Sequence, residues 1–243
     1  MIAYIALAHR PAQQTQTTTP IPTTAATLTT TSAQTVPTIT TSDPQQLYTQ
    51  ATSGTPALTD PLNSSNPNGW ESVPGGGNCT FSGNALHVSA TQAISKQTTA
   101  ICAASSTSFG NFAYQVSTTI SQGNITGVVF RGAGSLQAVG LYLFGITSDG
   151  TYELISGQKS AISNRSFKIL TGGSSQAIKT GANQANLLTV IARGSAIYLY
   201  ANRQYLASAN DSTSSIGGIG VFGENTLGGP VDVAFSDIQV WQL

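Results

Sequence analysis

The sequence predicts an all-β protein, an antiparallel jelly-roll β-sandwich preceded by a disordered Thr/Pro-rich linker. Three observations carry this reading: apolar residues recur with period two over many short segments, Gly, Asn and Asp punctuate those segments, and composition changes abruptly near residue 57. Period two places apolar side chains on one face of a strand, and helical periodicity is almost absent.

Before the break, the tract over residues 11–57 is rich in Thr, Pro and Gln, with Tyr48 its one aromatic and Asp43 its one charge. It has too little apolar surface to offset the roughly 1–2 kcal/mol of backbone entropy that each ordered residue loses. Its prolines favour extended backbone, so the tract is expected to be a semi-stiff spacer. Residues 1–10 open with MIAYIALA followed by His9-Arg10. A bilayer span needs about 20 apolar residues, and a signal peptide carries a basic region before its apolar stretch. The text therefore reads as the end of a longer membrane helix or signal, the alternative being a frayed apolar terminus.

Residues 58–243 form one domain, large enough for a substantial core. NCTF and TAICAA read as strands, as does ALHVSA, which carries His87. In the next strand Phe112, Tyr114, Val116 and Ile120 share one face, while Ala113, Gln115, Ser117 and Thr119 share the other. One packed and one wet face suit an antiparallel sheet. NITGVVFRG (124–132), AVGLYLFGI (138–146) and TYELIS (151–156) follow, the last two joined through Asp149-Gly150, a strong hairpin signal. A second hairpin joins NLLTVIARG (186–194) to SAIYLYAN (195–202) through Gly194-Ser195. A turn at Asn202-Arg203 leads into QYLASAND (204–211), and IGGIGVFGE (216–224) and PVDVAFSDIQVWQL (230–243) complete the series. Many short strands without helices indicate a jelly-roll sandwich.

Charged residues are 7% of the chain and net charge is zero, against about 25% charged in ordinary globular proteins. Nucleic-acid binding needs a basic footprint, which this composition lacks. Low charge with abundant Ser, Thr, Asn, Gln and Gly matches the surface of many exported β proteins, so an extracellular or cell-surface location is expected. Cys79 and Cys102 are the two cysteines. In an exported protein they pair as a disulfide closing a loop of 23 residues (102 − 79), which contributes about 3 kcal/mol. The alternative is two buried free thiols.

The order of these segments resembles the concanavalin A-like lectin/glucanase superfamily, and is most similar to the jelly-roll modules of the 3-keto-disaccharide hydrolase type. The resemblance spans residues 58–243. It rests on Gly69-Trp70, GVVFR at 127–131, LYLFGI with DGTY at 141–152, Asn186-Leu187 with VIARGSAIYLYAN to 202, Asp211 before IGGIGV, and the closing VAFSDIQVW. The arrangement of apolar stub, Thr/Pro spacer and sandwich also resembles the outward-facing part of some bacterial membrane-anchored proteins. The likeness implies glycan-related chemistry. It also implies a structural calcium at an acidic residue of the last strand, here Asp237, with no other cofactor.

Sandwich glucanases carry paired carboxylates on one strand, as E-x-D-x-E or a close variant, because acid and nucleophile must lie about 5–5.5 Å apart. That motif is missing, and Asp149, beside Glu153, reads as a turn residue. G-x-S-x-G does not occur, and His87 reads as a strand residue rather than a base. A sugar site needs flat aromatic faces with planar donors and acceptors, which singles out Arg131, Tyr142, Tyr152, Asn186 and Trp70. Arg131 ends a strand whose Val128 and Phe130 alternate away from it, so its guanidinium is expected on the wet sheet face, for a ligand or simply as an exposed strand-end charge. Tyr142 shares parity with Phe144 and Ile146, which also fits a core role, and a lone Trp70 at a module start fits packing.

Three readings follow. The first is a surface-tethered non-catalytic module that binds a glycan or cell-surface polysaccharide or senses a surface ligand. The second is a glycoside- or keto-sugar-active enzyme, and the third a structural or adhesive ectodomain. Convergence of two acids, or of an acid with Arg131, in one groove separates the second from the others.

Overall fold

The protein is described by a computed structural model covering residues 41–63, 65–91, 97–132, 140–158 and 166–243. The apolar stub and the linker as far as residue 40 lie outside the described residues. In chain order the elements are α1 (Pro44–Ala51), β1 (Leu58–Asp60), β2 (Trp70–Ser72), β3 (Asn78–Ser82), β4 (Ala85–Ala90) and β5 (Thr98–Ala104). They continue with β6 (Phe112–Gln122), β7 (Ile125–Phe130), β8 (Gly140–Thr147), β9 (Thr151–Gln158) and β10 (Ser166–Ser174). The last are β11 (Ala185–Arg193), β12 (Ala196–Ala201), β13 (Gln204–Asn210), β14 (Gly220–Asn225) and β15 (Val231–Gln242).

Two antiparallel sheets face each other, as expected. The first runs β13-β12-β11-β6-β15-β4-β3, with β1 also paired to β15, and the second runs β10-β9-β8-β7-β14-β5-β2. Alternation decides what lies between them. Phe112, Tyr114, Val116 and Ile120 of β6 meet Phe130 of β7, Phe144 and Ile146 of β8 and Val221 of β14 in one core. Phe112 and Phe130 pack edge to face, with centroids 6.1 Å apart. The β12–β13 turn places both Asn202 and Arg203 at positive φ, 51° and 68°, the backbone twist that a tight hairpin requires.

Cys79 on β3 and Cys102 on β5 form a disulfide with Cα atoms 5.9 Å apart. Because β3 belongs to the first sheet and β5 to the second, the bond staples the two layers along one edge. Among the described residues no helix is long and apolar enough to cross a membrane.

Beyond the three-residue strands β1 and β2, which the sequence reading also leaves out, two elements depart from it. Residues 157–185 carry no assigned strand there, yet β10 pairs with β9 from Ser166 to Ser174 around a bulge at Ile169/Thr171. An edge strand is wet on most sides and lacks a clean alternation. The second departure is α1, which lies inside the tract expected to be disordered, so order begins before residue 57. Asp43 caps it by accepting from the Gln46 amide at 2.8 Å, and Pro44 supplies the preset φ of a first helical turn.

Packing then holds α1. Leu47, Tyr48 and Ala51 cover Ala113, Ile191, Tyr200 and Trp241 on the outer face of the first sheet. The Tyr48 hydroxyl donates to Gln115 (2.8 Å), the Tyr200 hydroxyl to the Pro44 carbonyl (2.6 Å) and the Trp241 indole to the Gly54 carbonyl (2.8 Å). An eight-residue helix is marginal alone, so its stability is tertiary. The variant Leu47→Ala is expected to lose about 2–4 kcal/mol in urea unfolding. A loss under about 0.5 kcal/mol would show that the helix is not docked.

Candidate functional site

Of the five candidate side chains Arg131 and Tyr142 share one polar network and the other three lie apart, and none presents an open face. Arg131 is a correction. Its backbone turns to φ 54° as β7 ends, and the side chain leaves the sheet face and enters the end of the sandwich, where it is 1% exposed. Nε and Nη2 donate to the Gly110 carbonyl (3.0 and 2.8 Å), and Nη1 donates to the carbonyls of Gly194 (2.8 Å) and Ser214 (3.2 Å). A forked, planar cation suits this triple task. Burial pulls its pKa below the ordinary value, while Tyr142 beside it acts in the opposite sense.

Tyr142 stacks on Phe130 with centroids 5.2 Å apart, and its hydroxyl donates to Asp211 Oδ1 (2.8 Å) while accepting from the Ser214 amide (3.2 Å). Arg131, Tyr142, Asp211 and Ser214 thus form one polar network that ties β7 and β8 to loops of the other sheet. Tyr152 is buried, with its hydroxyl 3.3 Å from the Leu206 carbonyl. Asn186 is a loop pin: it accepts from the Lys179 amide (2.9 Å) and from Asn202 (2.8 Å), and it donates to the Lys179 carbonyl (3.0 Å). Trp70 is buried, and its indole donates to the buried Asp60 (3.0 Å). Asp237 sits exposed at a bulge of β15 with φ 57° and accepts from the Ser236 hydroxyl (2.8 Å). Among the described residues no three His, Cys, Asp or Glu side chains cluster as ligands, so Asp237 belongs to no such group for the calcium the resemblance implies.

The open surface lies elsewhere, on the outer face of the second sheet. Its strands are apolar on both sides: Tyr142, Phe144 and Ile146 of β8 face inward, and Leu141 and Leu143 face outward. Val129, Leu141, Ala103 and Phe222 form an outer apolar cluster that Ile101, Ile125, Leu143 and Val73 extend. Beside it a cleft of about 330 Å³ is bounded by Ile125, Leu143, Ile155 and Phe222, with Thr147, Thr151, Glu153 and Glu224 on its walls. Gly127 and Gly145 make the floor low. A Cβ at Gly127 would collide with the Phe222 ring, so only glycine lets that ring lie across the sheet.

Glu224 is half-buried, and its carboxylate accepts from Gln97 Nε2 (2.5 Å) and more weakly from the Thr99 hydroxyl (3.5 Å). Burial raises its pKa above the ordinary glutamate value, and those two hydrogen bonds oppose the shift in part. Asp149 is held in the β8–β9 turn, where it accepts from the Thr147 hydroxyl and the Thr151 amide. The residues of this cleft were missed in the sequence because parity was assigned to the inner face alone. The signal was present as the uninterrupted apolar run in GLYLFGI, which no one-sided strand requires.

No family model and no curated protein matches this sequence. Among solved structures, the chain is similar to the carbohydrate-binding module CBM66 from Bacillus subtilis, at 17% identity and TM-score 0.57, over 72% of this chain and 96% of that one. It is also similar to a galectin-like protein of unknown function from Bacillus subtilis (14% identity, TM-score 0.58, 78% and 96% covered). A third similarity is to a glycoside hydrolase family 16 endo-glucanase from Bacteroides ovatus (10% identity, TM-score 0.56, 75% and 99% covered). The fold is therefore the concanavalin A-like jelly roll.

Two outcomes are expected. Replacing Arg131 with Met leaves three part-buried backbone carbonyls without their donor and is expected to cost about 1–3 kcal/mol in chemical denaturation. Unchanged stability would contradict the clamp. For Glu224, the folded state holds the proton more tightly than the unfolded chain, so its contribution favours folding on the acid side and is lost as pH rises through the folded pKa. Carboxyl NMR should place its titration above the ordinary glutamate value, and a midpoint at or below that value would refute the buried environment.

Proposed function

We propose that the protein is a surface-tethered, non-catalytic carbohydrate-binding module, with the outer face of the second sheet as its glycan site. The observation that carries this reading is the cleft over Phe222, Leu143, Ile125 and Ile155, which offers apolar surface to a sugar ring's C–H face beside hydroxyl and carboxylate acceptors. The matching face of the first sheet is occupied by α1, so it offers no comparable platform. The folds of a carbohydrate-binding module and of a glycan hydrolase are both consistent with glycan recognition. The Thr/Pro tract, the cross-sheet disulfide and the low charge favour a position outside the cell.

An enzyme reading has one observation in its favour, since Glu153 and Glu224 border the same cleft. Geometry weighs against it. β8 and β7 separate their strands, which puts the backbones about 14 Å apart, so the carboxyl groups reach glycosidase spacing only if both side chains extend toward each other. Glu224 also leans toward Gln97 and Thr99 on the β5 side, away from Glu153.

A glycan array followed by calorimetry tests the proposal. Wild-type protein is expected to bind one glycan class, and Leu143→Ser, a half-buried outer-face change, to weaken it about tenfold. Equal affinity of the variant, or hydrolysis of the bound glycan, would count against this function.

A further inference from the structure

Resting on that proposed glycan site, we infer that the face selects an extended oligosaccharide without acidic groups, with Phe167 and Ile169 on the edge strand forming an outer subsite. The register carries the first half. Ile169 of β10 pairs with Ile155 of β9, which pairs with Leu143 of β8, which pairs with Val129 of β7. Paired residues share a face, so these four form one apolar row, in which Val129 is buried while Leu143, Ile155 and Ile169 offer surface over about 10 Å at ordinary strand spacing. Phe167 starts a parallel row through Gly157 to Leu141.

The row ends in the most exposed apolar pair on this sheet, Phe167 at 62% and Ile169 at 60%. Such side chains on an edge strand invite unwanted strand pairing, a cost that is tolerated where the surface is used. A single sugar fits within the cleft and cannot reach them. A chain running across the strands places a ring over Phe167, whose π-face stacks on a sugar's C–H surface.

Charge carries the second half. The titratable side chains on this face among the described residues are Glu71, Glu153 and Glu224, and all are carboxylates. Lys168, the cation on β10, pairs with buried Ser156 and so points to the opposite face, where its charge acts on Asp211. Among the described residues an anionic glycan would meet only like charge on this face, whereas hydroxyls of a neutral one can donate to these carboxylates.

The test titrates neutral gluco-, galacto- and fructo-oligosaccharides, each as short and long chains, and oligogalacturonates of matched length. Long neutral chains should bind best, oligogalacturonates at least about tenfold more weakly at low salt, and Glu153→Gln/Glu224→Gln should narrow that gap. Phe167→Ala should weaken long chains about tenfold and leave short ones unchanged. Equal or tighter binding of oligogalacturonate, or an unaltered long-chain affinity in Phe167→Ala, overturns the selectivity while leaving the glycan site in place. Absence of binding by every oligosaccharide removes the site and the selectivity together.

Discussion

Strands that are apolar on both faces pose the constraint that organises this molecule. A sandwich needs one apolar face per sheet, and the other faces water. Here each sheet carries a second apolar surface, Ala113, Ile191, Tyr200 and Trp241 on one side and Val129, Leu141, Ala103 and Phe222 on the other. The first is closed by α1. The second stays accessible at the cleft, where Leu143, Ile125 and Ile155 are only half-buried. The helix and the cleft are thus two answers to one problem, and the asymmetry between them points to where a ligand can sit.

Holding two such sheets in register takes cross-layer ties of different chemistry. The disulfide fixes the β3/β5 edge, restricting the unfolded chain. Arg131 fixes one end by drawing three backbone carbonyls from separate segments onto a single guanidinium. Close approach is required there as well, since a Cβ at Gly217 would sit 2.5 Å from the Arg131 carbonyl carbon. With these ties in place the outer face of the second sheet can carry glycines and a flat aromatic ring without collapsing.

The architecture was legible in the sequence because strand alternation and turn chemistry are local. Phe112 to Ile120, the Asp149-Gly150 hairpin and the Asn202-Arg203 turn are each specified within a few residues, and the disulfide follows from two cysteines on strands. The helix was not legible, because its stability comes from Tyr200 and Trp241, far along the chain; the local hint was Asp43-Pro44, a cap followed by a helix-compatible proline. Arg131 was misplaced for a related reason. Alternation fixes a side chain's direction only while the strand lasts, and the positive φ at residue 131 ends it. Tyr142, Trp70 and Asn186 drew attention as chemically capable groups, but their polar atoms are consumed within the fold.

The most direct test of the central claim is amide chemical-shift mapping of the labelled protein with the glycan it binds. A ligand on the proposed face should perturb residues 125–129, 141–147, 151–157 and 220–224, with the signals of α1 and of β11 to β13 unmoved. Perturbations centred on α1 and the first sheet instead, or confined to the loops around Arg131, would place the site elsewhere and contradict the account.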